Sequence, residues 1–378
     1  MESCDVLIVG GGPAGSTCAR RLCDAGLDVM VLDKQSFPRD KVCAGWITPE
    51  VIEAVEMDCQ DYAQGRVFQP FAGFRTGMIG GPQVTTDYDH PVSYGIRRCE
   101  FDHYLLQRSG ARLQLGEPLR TLEQEGSRWI VNGQISTALL IGAGGHFCPV
   151  ARQLGAKRGK DEHVIAAQEI EFEMTPAQLE QCRVDGSRPE LYFCEDLKGY
   201  GWAVRKGNFL NVGLGREDNH QLSRHVTEFR ARLIEQGKVP ADMPEKFHGH
   251  AYLLSSQKQP RPLVADNAML IGDASGLAYP QSGEGIRPAI ESGLLAAQTI
   301  IQAGGRYQAE RLQPYADQII ARFGQRHADD EEAGWIPEGL RRFAARKLMA
   351  STWFARHILI ERWFLHLNTP KLERMLQG

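Results

Sequence analysis

The chain has 378 residues, of which 42% are apolar, and a formal net charge of -4. That length accommodates two domains, or one large domain with an inserted second, and the apolar content supplies a sizeable core. The slightly acidic balance argues against a nucleic-acid surface spread over the protein, no apolar run is long enough to span a bilayer, and Asp5 interrupts what would be the apolar region of a signal peptide. Nine cysteines, scattered without CxxC pairing, read as free thiols in a reducing compartment, the cytoplasm, and no metal site is expected.

The first stretch sets the organisation. An apolar strand, residues 5–9, runs into Gly10-Gly11-Gly12-Pro13-Ala14-Gly15. A helix over residues 16–25 follows, Gly26 breaks it, and a second apolar strand, Val29-Met30-Val31-Leu32, ends on Asp33. Gly10, Gly12 and Gly15 occupy the glycine positions of a dinucleotide fingerprint: the first for the tight turn, the second for backbone approach to a pyrophosphate, the third for helix-on-strand packing. The helix N-terminus, opened by Pro13 and Ala14, turns bare N–H groups and a partial positive charge toward the phosphates. Asp33 stands where a carboxylate accepts from both ribose hydroxyls.

The next segment, Lys34-Gln35-Ser36-Phe37-Pro38-Arg39-Asp40-Lys41-Val42-Cys43-Ala44-Gly45-Trp46, reads as a loop, with Gly45 permitting close backbone approach. Arg39 and Lys41 can meet phosphate or ribose, or stand as plain surface charges. Cys43 is either a small buried residue or a working thiol. Thr48 as cap, Pro49 and Glu50 start a helix. Residues 67–92 read as short strands, with a turn at Gly80-Gly81-Pro82, and mark the first part of a second domain. Arg98 to Asp102 opens a helix that runs to residue 107 and returns to the first domain. A hairpin turns at Asn132-Gly133. The apolar strand 138–141 runs into Gly142-Ala143-Gly144-Gly145, a place where ligands sit in open α/β sheets. Residues 164–257 alternate as antiparallel strands, interrupted by a helix over 221–237. A last strand, 268–271, ends on Gly272-Asp273. Beyond Pro280, Gly283 and Gly285 precede a helix over 286–303, beginning at Ile286, whose bare N-terminus suits an anionic ring system. From residue 341 onward Lys and Arg number eight against two acids. Interleaved aromatic residues make this tail either a helix packed on the domain or one lying on a membrane surface.

Three separated motifs, the N-terminal fingerprint, the Gly272-Asp273 strand end and the helix after Gly285, resemble the FAD-binding flavoprotein hydroxylase superfamily. Within it the chain is most similar to the geranylgeranyl reductase family. That resemblance rests on Phe37-Pro38-Arg39-Asp40-Lys41-Val42-Cys43-Ala44-Gly45, on Arg98 with Phe101-Asp102, on Tyr200-Gly201-Trp202 with Asn211-Val212-Gly213-Leu214-Gly215, and on Gly272-Asp273-Ala274 through Pro280 to Gly283-Glu284-Gly285-Ile286. It covers most of residues 5–303. It implies an α/β fold: a Rossmann-like FAD domain (1–66, 97–163, 258–330), an inserted antiparallel-sheet substrate domain (67–96, 164–257) and a helical tail (331–378). It implies FAD held by Gly10, Gly12, Pro13, Ala14, Gly15, Asp33, Lys34, Arg39, Cys43, Ala44, Gly45, Arg98, Gly142, Ala143, Gly272, Asp273, Pro280, Gly283, Gly285 and Ile286. In this family pattern Asp273 meets the ribityl chain. The sequence departs from the pattern at Val204-Arg205, where Phe-Pro is usual, at Gly144, where a carboxylate is usual, and at Ala44, where glycine is usual. The Gly-Glu-Ser of related halogenases is absent.

The activity implied is reduction of carbon–carbon double bonds in a hydrophobic, isoprenoid-like substrate. Tyr200 and Trp202 form an apolar wall and Cys43 places substrate or donates a proton. With one nucleotide fingerprint, NAD(P)H binds transiently or a reduced redox protein supplies electrons. A hydroxylase on the same fold and a non-catalytic flavin module are the alternatives.

Overall fold

Val6, Leu7, Ile8 and Val9 are buried on both faces of the strand Glu2–Val9, as a parallel strand covered by helices requires. This strand pairs in parallel with Val29–Asp33 and with Ile135–Gly142. Arg112–Leu115 and Ala268–Leu270 extend the parallel array on either side. The hairpin Leu122–Glu125 and Arg128–Val131 and the short strand Val264–Ala265 join it antiparallel, completing an eight-stranded sheet. The computed structural model describes residues 1–156, 164–217, 221–255, 261–324 and 338–372.

Helices Pro13–Asp24 and Ile286–Ala303 pack against each other on one face of this sheet. The second is buried along most of its length, so it reads as apolar nearly all round. The carboxyl ends of the central strands therefore open toward both helix N-termini, which is where an open α/β sheet binds ligands.

A seven-stranded sheet carries the second layer, ordered His248–Leu253, Val164–Glu173, Phe209–Arg216, Gly199–Lys206, Glu190–Phe193, Gly73–Met78 and Gln83–Asp87. It departs from a purely antiparallel sheet at one place, where Glu190–Phe193 and Gly73–Met78 run parallel. The join arises because the two segments come from separate crossings of the chain. Period-two alternation divides the strands into two faces. One face buries Ile170, Ala203, Leu210, Val212 and Leu214 under Val226, Phe229 and Leu233 of helix Leu222–Glu235. The other presents Glu169, Glu171, Tyr200, Trp202, Lys206, Asn211 and Tyr252 toward the first layer.

Trp46, expected at the end of a loop, forms with Ile47 a strand in a small third sheet with Ser93–Gly95 and Gln69–Phe71. Thr48 sits at the cap position of helix Pro49–Ala54, but its side chain makes no capping bond; its buried hydroxyl has no partner. The Gly80-Gly81 and Asn132-Gly133 turns join the strands expected of them.

The tail comprises Glu338–Met349, Thr352–Phe354 and a π-helical stretch, Ala355–Phe364. Residues 331–337 and 373–378 of the expected tail lie outside the described residues. Leu359, Ile360, Phe364 and Leu365 join a core with Trp46, Phe74, Phe193 and Trp202. Burying each such side chain contributes roughly 1.5–3 kcal/mol, so this segment is part of the second layer's core. Phe343, Leu348 and Trp353 remain exposed. Among the described residues no helix is long and apolar enough to cross a membrane.

Candidate active site

The glycine turn is built for backbone approach. Gly10 has φ +119°, and a Cβ there would collide with the Ala143 carbonyl; one on Gly15 would collide with the Gly10 carbonyl. The helix beginning at Pro13 has Gly12 as its cap residue, no side-chain capping bond and no acid in its first turn. Its amides are thus left for an anion. Asp33 accepts the Gly11 amide on Oδ2 at 2.8 Å and the Gln35 amide on Oδ1 at 2.9 Å. This holds the carboxylate at the strand tip beside the turn. Arg39 reaches over the same turn: a Cβ on Gly12 would lie 3.4 Å from its Nη2, which also pairs with Asp102 at 3.1 Å. Across the sheet, Asp273 lies beside the N-terminus of helix Ile286–Ala303, its Oδ1 3.2 Å from where a Gly285 Cβ would stand. The bare end of helix Pro13–Asp24, two acids at strand tips and the glycine turn fit FAD, which Asp33 would hold at the adenosine ribose and Asp273 at the ribityl chain.

The loop carrying Cys43 is gripped from both layers. From below, the Arg98 side chain hydrogen-bonds to that of Cys43 and is itself held by a buried two-pronged pair with Asp102, both contacts 2.8 Å. From above, three residues on one face of the second sheet hold the loop backbone. Glu169 Oε1 accepts the Cys43 amide at 2.6 Å, Asn211 Nδ2 donates to the Cys43 carbonyl at 3.1 Å, and Lys206 Nζ donates to the Ala44 carbonyl at 3.1 Å. Lys206 is wholly buried; it also donates to the Ile96 carbonyl at 2.9 Å and pairs with Glu171 at 2.5 Å. Trp202 Nε1 donates to Asn211 Oδ1 at 2.7 Å, tying the tryptophan into the same network.

Burial pushes the Cys43 thiol up, and neighbouring Arg98 offsets this only in part. The sulfur is therefore a protonated thiol at neutral pH, suited to giving a proton rather than to nucleophilic attack. Burial lifts Glu169 to about 7. Burial opposes ionisation of Glu171 too, but Lys206 outweighs it and lowers that carboxyl. Lys41 meets His250 Nε2 at 2.5 Å; burial lowers Lys41 to about 8, and burial together with Lys41 depresses His250 to about 2, leaving a neutral imidazole. Burial likewise raises Glu284 to about 7 and holds the Tyr200 hydroxyl protonated.

Tyr200 donates to the Ser282 carbonyl and packs 6.0 Å from Trp202 and 5.3 Å, edge-on, from Phe364 of the tail. The expected residues cluster around the glycine turn, the Cys43 loop and the segment before helix Ile286–Ala303, with differences in what each does. Gly142 and Ala143 back the glycine turn: a Gly142 Cβ would strike Leu270 and Val150. Lys34 is exposed beside Asp33, and Pro280 is half-buried in the segment leading to Gly283. Arg39 is an ion-pair partner of Asp102, not a free surface charge. Glu169, Lys206 and Tyr252 escaped sequence reasoning, and Asn211 entered it only as part of the family motif, without a role. The signal for the first was present in Glu169 and Glu171, acids at alternate positions and so on one face of a strand whose other face carries Ile170 and Phe172.

A glycine-turn cradle with two strand-tip acids beneath a second sheet defines an FAD-dependent oxidoreductase, and the model of the FAD binding domain family matches residues 3–68. The menaquinone reductase of Mycobacterium tuberculosis is 30% identical over 328 residues, covering 79% of this chain and 77% of that protein. The digeranylgeranylglycerophospholipid reductase of Methanocaldococcus jannaschii is 26% identical over 317 residues, covering 79% and 77%. Among solved structures, a geranylgeranyl bacteriochlorophyll reductase-like protein from Thermoplasma acidophilum superposes with a TM-score of 0.74 at 23% identity, over 92% of this chain and 88% of the other. The chain belongs to the geranylgeranyl reductase family of FAD-dependent oxidoreductases.

Proposed function

We propose that this enzyme reduces carbon–carbon double bonds of a hydrophobic, isoprenoid-like substrate. The observation that carries this is Cys43, its backbone held by Glu169 and Asn211 on the face of the second sheet that also presents Tyr200 and Trp202, with Phe364 packed edge-on against Tyr200. When bound and reduced, FAD supplies a hydride. Cys43 gives the proton that completes addition across the double bond. Trp202 and Tyr200 fix the substrate and exclude water, and the dipole of helix Ile286–Ala303 stabilises negative charge on the cofactor's ring system; contrary to the expectation from sequence its N-terminus is not bare, because Glu284 Oε1 accepts the Arg287 amide at 2.7 Å. The names of the mycobacterial and archaeal relatives, a menaquinone reductase and a digeranylgeranylglycerophospholipid reductase, support a lipid substrate.

Electrons come transiently from NAD(P)H or from a reduced redox protein, since the chain carries one nucleotide fingerprint. No disulfide joins any of the nine cysteines, which fits the reducing cytoplasm. The tail touches the membrane from that side: Phe343, Leu348 and Trp353 are exposed among Arg342, Arg346, Lys347 and Arg356, a basic and aromatic surface suited to anionic headgroups. Flotation with anionic vesicles, lost when Phe343, Leu348 and Trp353 become serine, is the expected result; flotation unaffected by the change refutes this contact.

The test of the activity is anaerobic. The holoenzyme is reduced with dithionite, a geranylgeranyl lipid is added, and the flavin band is followed. Reoxidation without oxygen, with loss of substrate double bonds by mass spectrometry, is the expected result. A flavin that stays reduced until air is admitted, then hydroxylates the lipid, overturns the proposal in favour of a monooxygenase.

A further inference from the structure

Behind the Cys43 loop lies a buried acid with no part in the chemistry so far. Glu169 is 5% exposed, and while Oε1 accepts the Cys43 amide, Oε2 is buried with no hydrogen-bond partner. A bare buried carboxylate oxygen is costly; a neutral carboxyl is far less so. The surrounding charges settle which form it takes. Glu171 projects from the same strand, Lys206 and Asn211 from the adjoining strands, Arg98 from the helix below, and Lys41 and His250 from the loop and the edge strand. Lys206, the one ammonium beside both acids among the described residues, is committed to Glu171 at 2.5 Å, and Arg97 adds a second cation to Glu171 at 3.2 Å. Arg98 is likewise committed to Asp102. Two acids share one ammonium, and the nearer one takes it. Glu169 therefore keeps its proton to about pH 7 while Glu171 is ionised, a separation of two carboxyls that assigns one of them as an acid.

We propose that Glu169 is a positioning residue that stores the proton behind Cys43, orienting the loop through one oxygen and returning a proton to the thiolate after each turnover. This rests on the double-bond reduction proposed above. The hydride from reduced flavin forms one C–H bond, and the Cys43 S–H bond breaks as its proton forms the other. The thiolate then takes the Glu169 proton. The carboxylate left behind, with no cation of its own, recovers a proton from solvent as product leaves.

The test uses the holoenzyme and Glu169→Gln, which keeps an acceptor for the Cys43 amide but cannot release a proton. Two readouts are taken: turnover of a geranylgeranyl lipid against pH, and peptide-resolved iodoacetamide labelling of Cys43 against pH. Wild-type turnover falls as pH rises through about 7. In Glu169→Gln it drops on the order of tenfold or more and loses that limb. Labelling of Cys43 moves to lower pH in the variant, because a negative neighbour has been removed. A variant with wild-type turnover and pH profile, or an unmoved labelling midpoint, overturns the proposal. If the variant does not retain FAD, wild-type labelling decides: an inflection near pH 7 supports the store, and a single smooth titration overturns it. Wild-type protein inert toward the lipid sinks the function reading instead, while labelling still judges the coupling of Glu169 to Cys43.

Discussion

Replacing Lys206 with methionine tests whether the second sheet holds the cysteine loop. Lys206 is wholly buried, and its ammonium satisfies the Ala44 and Ile96 carbonyls and the Glu171 carboxylate. Methionine fills similar volume without a donor. Removing one partner of a buried ion pair costs about 3–5 kcal/mol. The low end applies, because Arg97 still lies 3.2 Å from Glu171. Two carbonyls stripped of a donor add about 1–3 kcal/mol each. Freedom from burying an ammonium offsets several kcal/mol, which leaves a net loss of about 3 kcal/mol. At about 2 °C per kcal/mol for a chain of this size, the thermal midpoint falls by about 6 °C, read by differential scanning fluorimetry. FAD is released at lower temperature in the same scan, because the loop overlies the cradle. The double variant Lys206→Met with Glu171→Gln removes the orphaned charge and recovers more than half of the loss. A single variant within about 1 °C of wild type, or a double variant no better than the single, refutes the clamp.

Gly283 has φ +67°, and a Cβ there would collide with the Tyr252 hydroxyl. Gly283→Ala therefore displaces the segment before helix Ile286–Ala303 and weakens FAD binding by roughly tenfold, a loss of about 1.4 kcal/mol, measured by flavin fluorescence on dilution; unchanged retention counts against the placement of that segment. The buried acid Glu169 makes folded-state stability pH dependent. Its carboxyl is raised from 4.5 to about 7, so the folded state binds its proton more tightly than the unfolded chain. Its contribution is full below pH 4.5 and is lost as pH rises through 7, by about 3 kcal/mol in all. Melting at pH 5 and pH 8 shows the wild type losing stability relative to Glu169→Gln over that interval; parallel curves contradict the buried, protonated acid.

The nucleotide half was readable from sequence because local rules determine it. A glycine turn between an apolar strand and a helix, with an acid at the next strand end, is a contiguous pattern, and Gly10, Gly15, Asp33 and Asp273 stand where it puts them. The helix expected over 286–303 after Gly283 and Gly285 runs from Ile286 to Ala303, with Gly304 as its cap at φ +57°. The second sheet yielded less. Its strands were recognisable by alternation, but which face met the cofactor depends on register between segments far apart in the chain. Glu169, Asn211 and Lys206 lie on three strands and meet only once these pair. The tail was undecided between packing and lipid because the same residues serve both: Leu359 and Phe364 face the core, whereas Phe343 and Trp353 do not.

The grip on Cys43 divides the second sheet into positions open to change and positions that are not. Tyr200 and Phe364 shape the apolar wall and bond to the loop at no point. Phe364 is the place where a new substrate shape can be accommodated without disturbing the flavin cradle, whereas Tyr200 also bonds to the Ser282 carbonyl in the segment before helix Ile286–Ala303. Asn211, Lys206 and Glu169 share that face but are tied to the loop backbone, and Trp202 is bound to them through Asn211. A library that randomises the whole face would lose cofactor binding in most of its members, whereas one confined to Phe364 would keep the chemistry and vary only what it acts on.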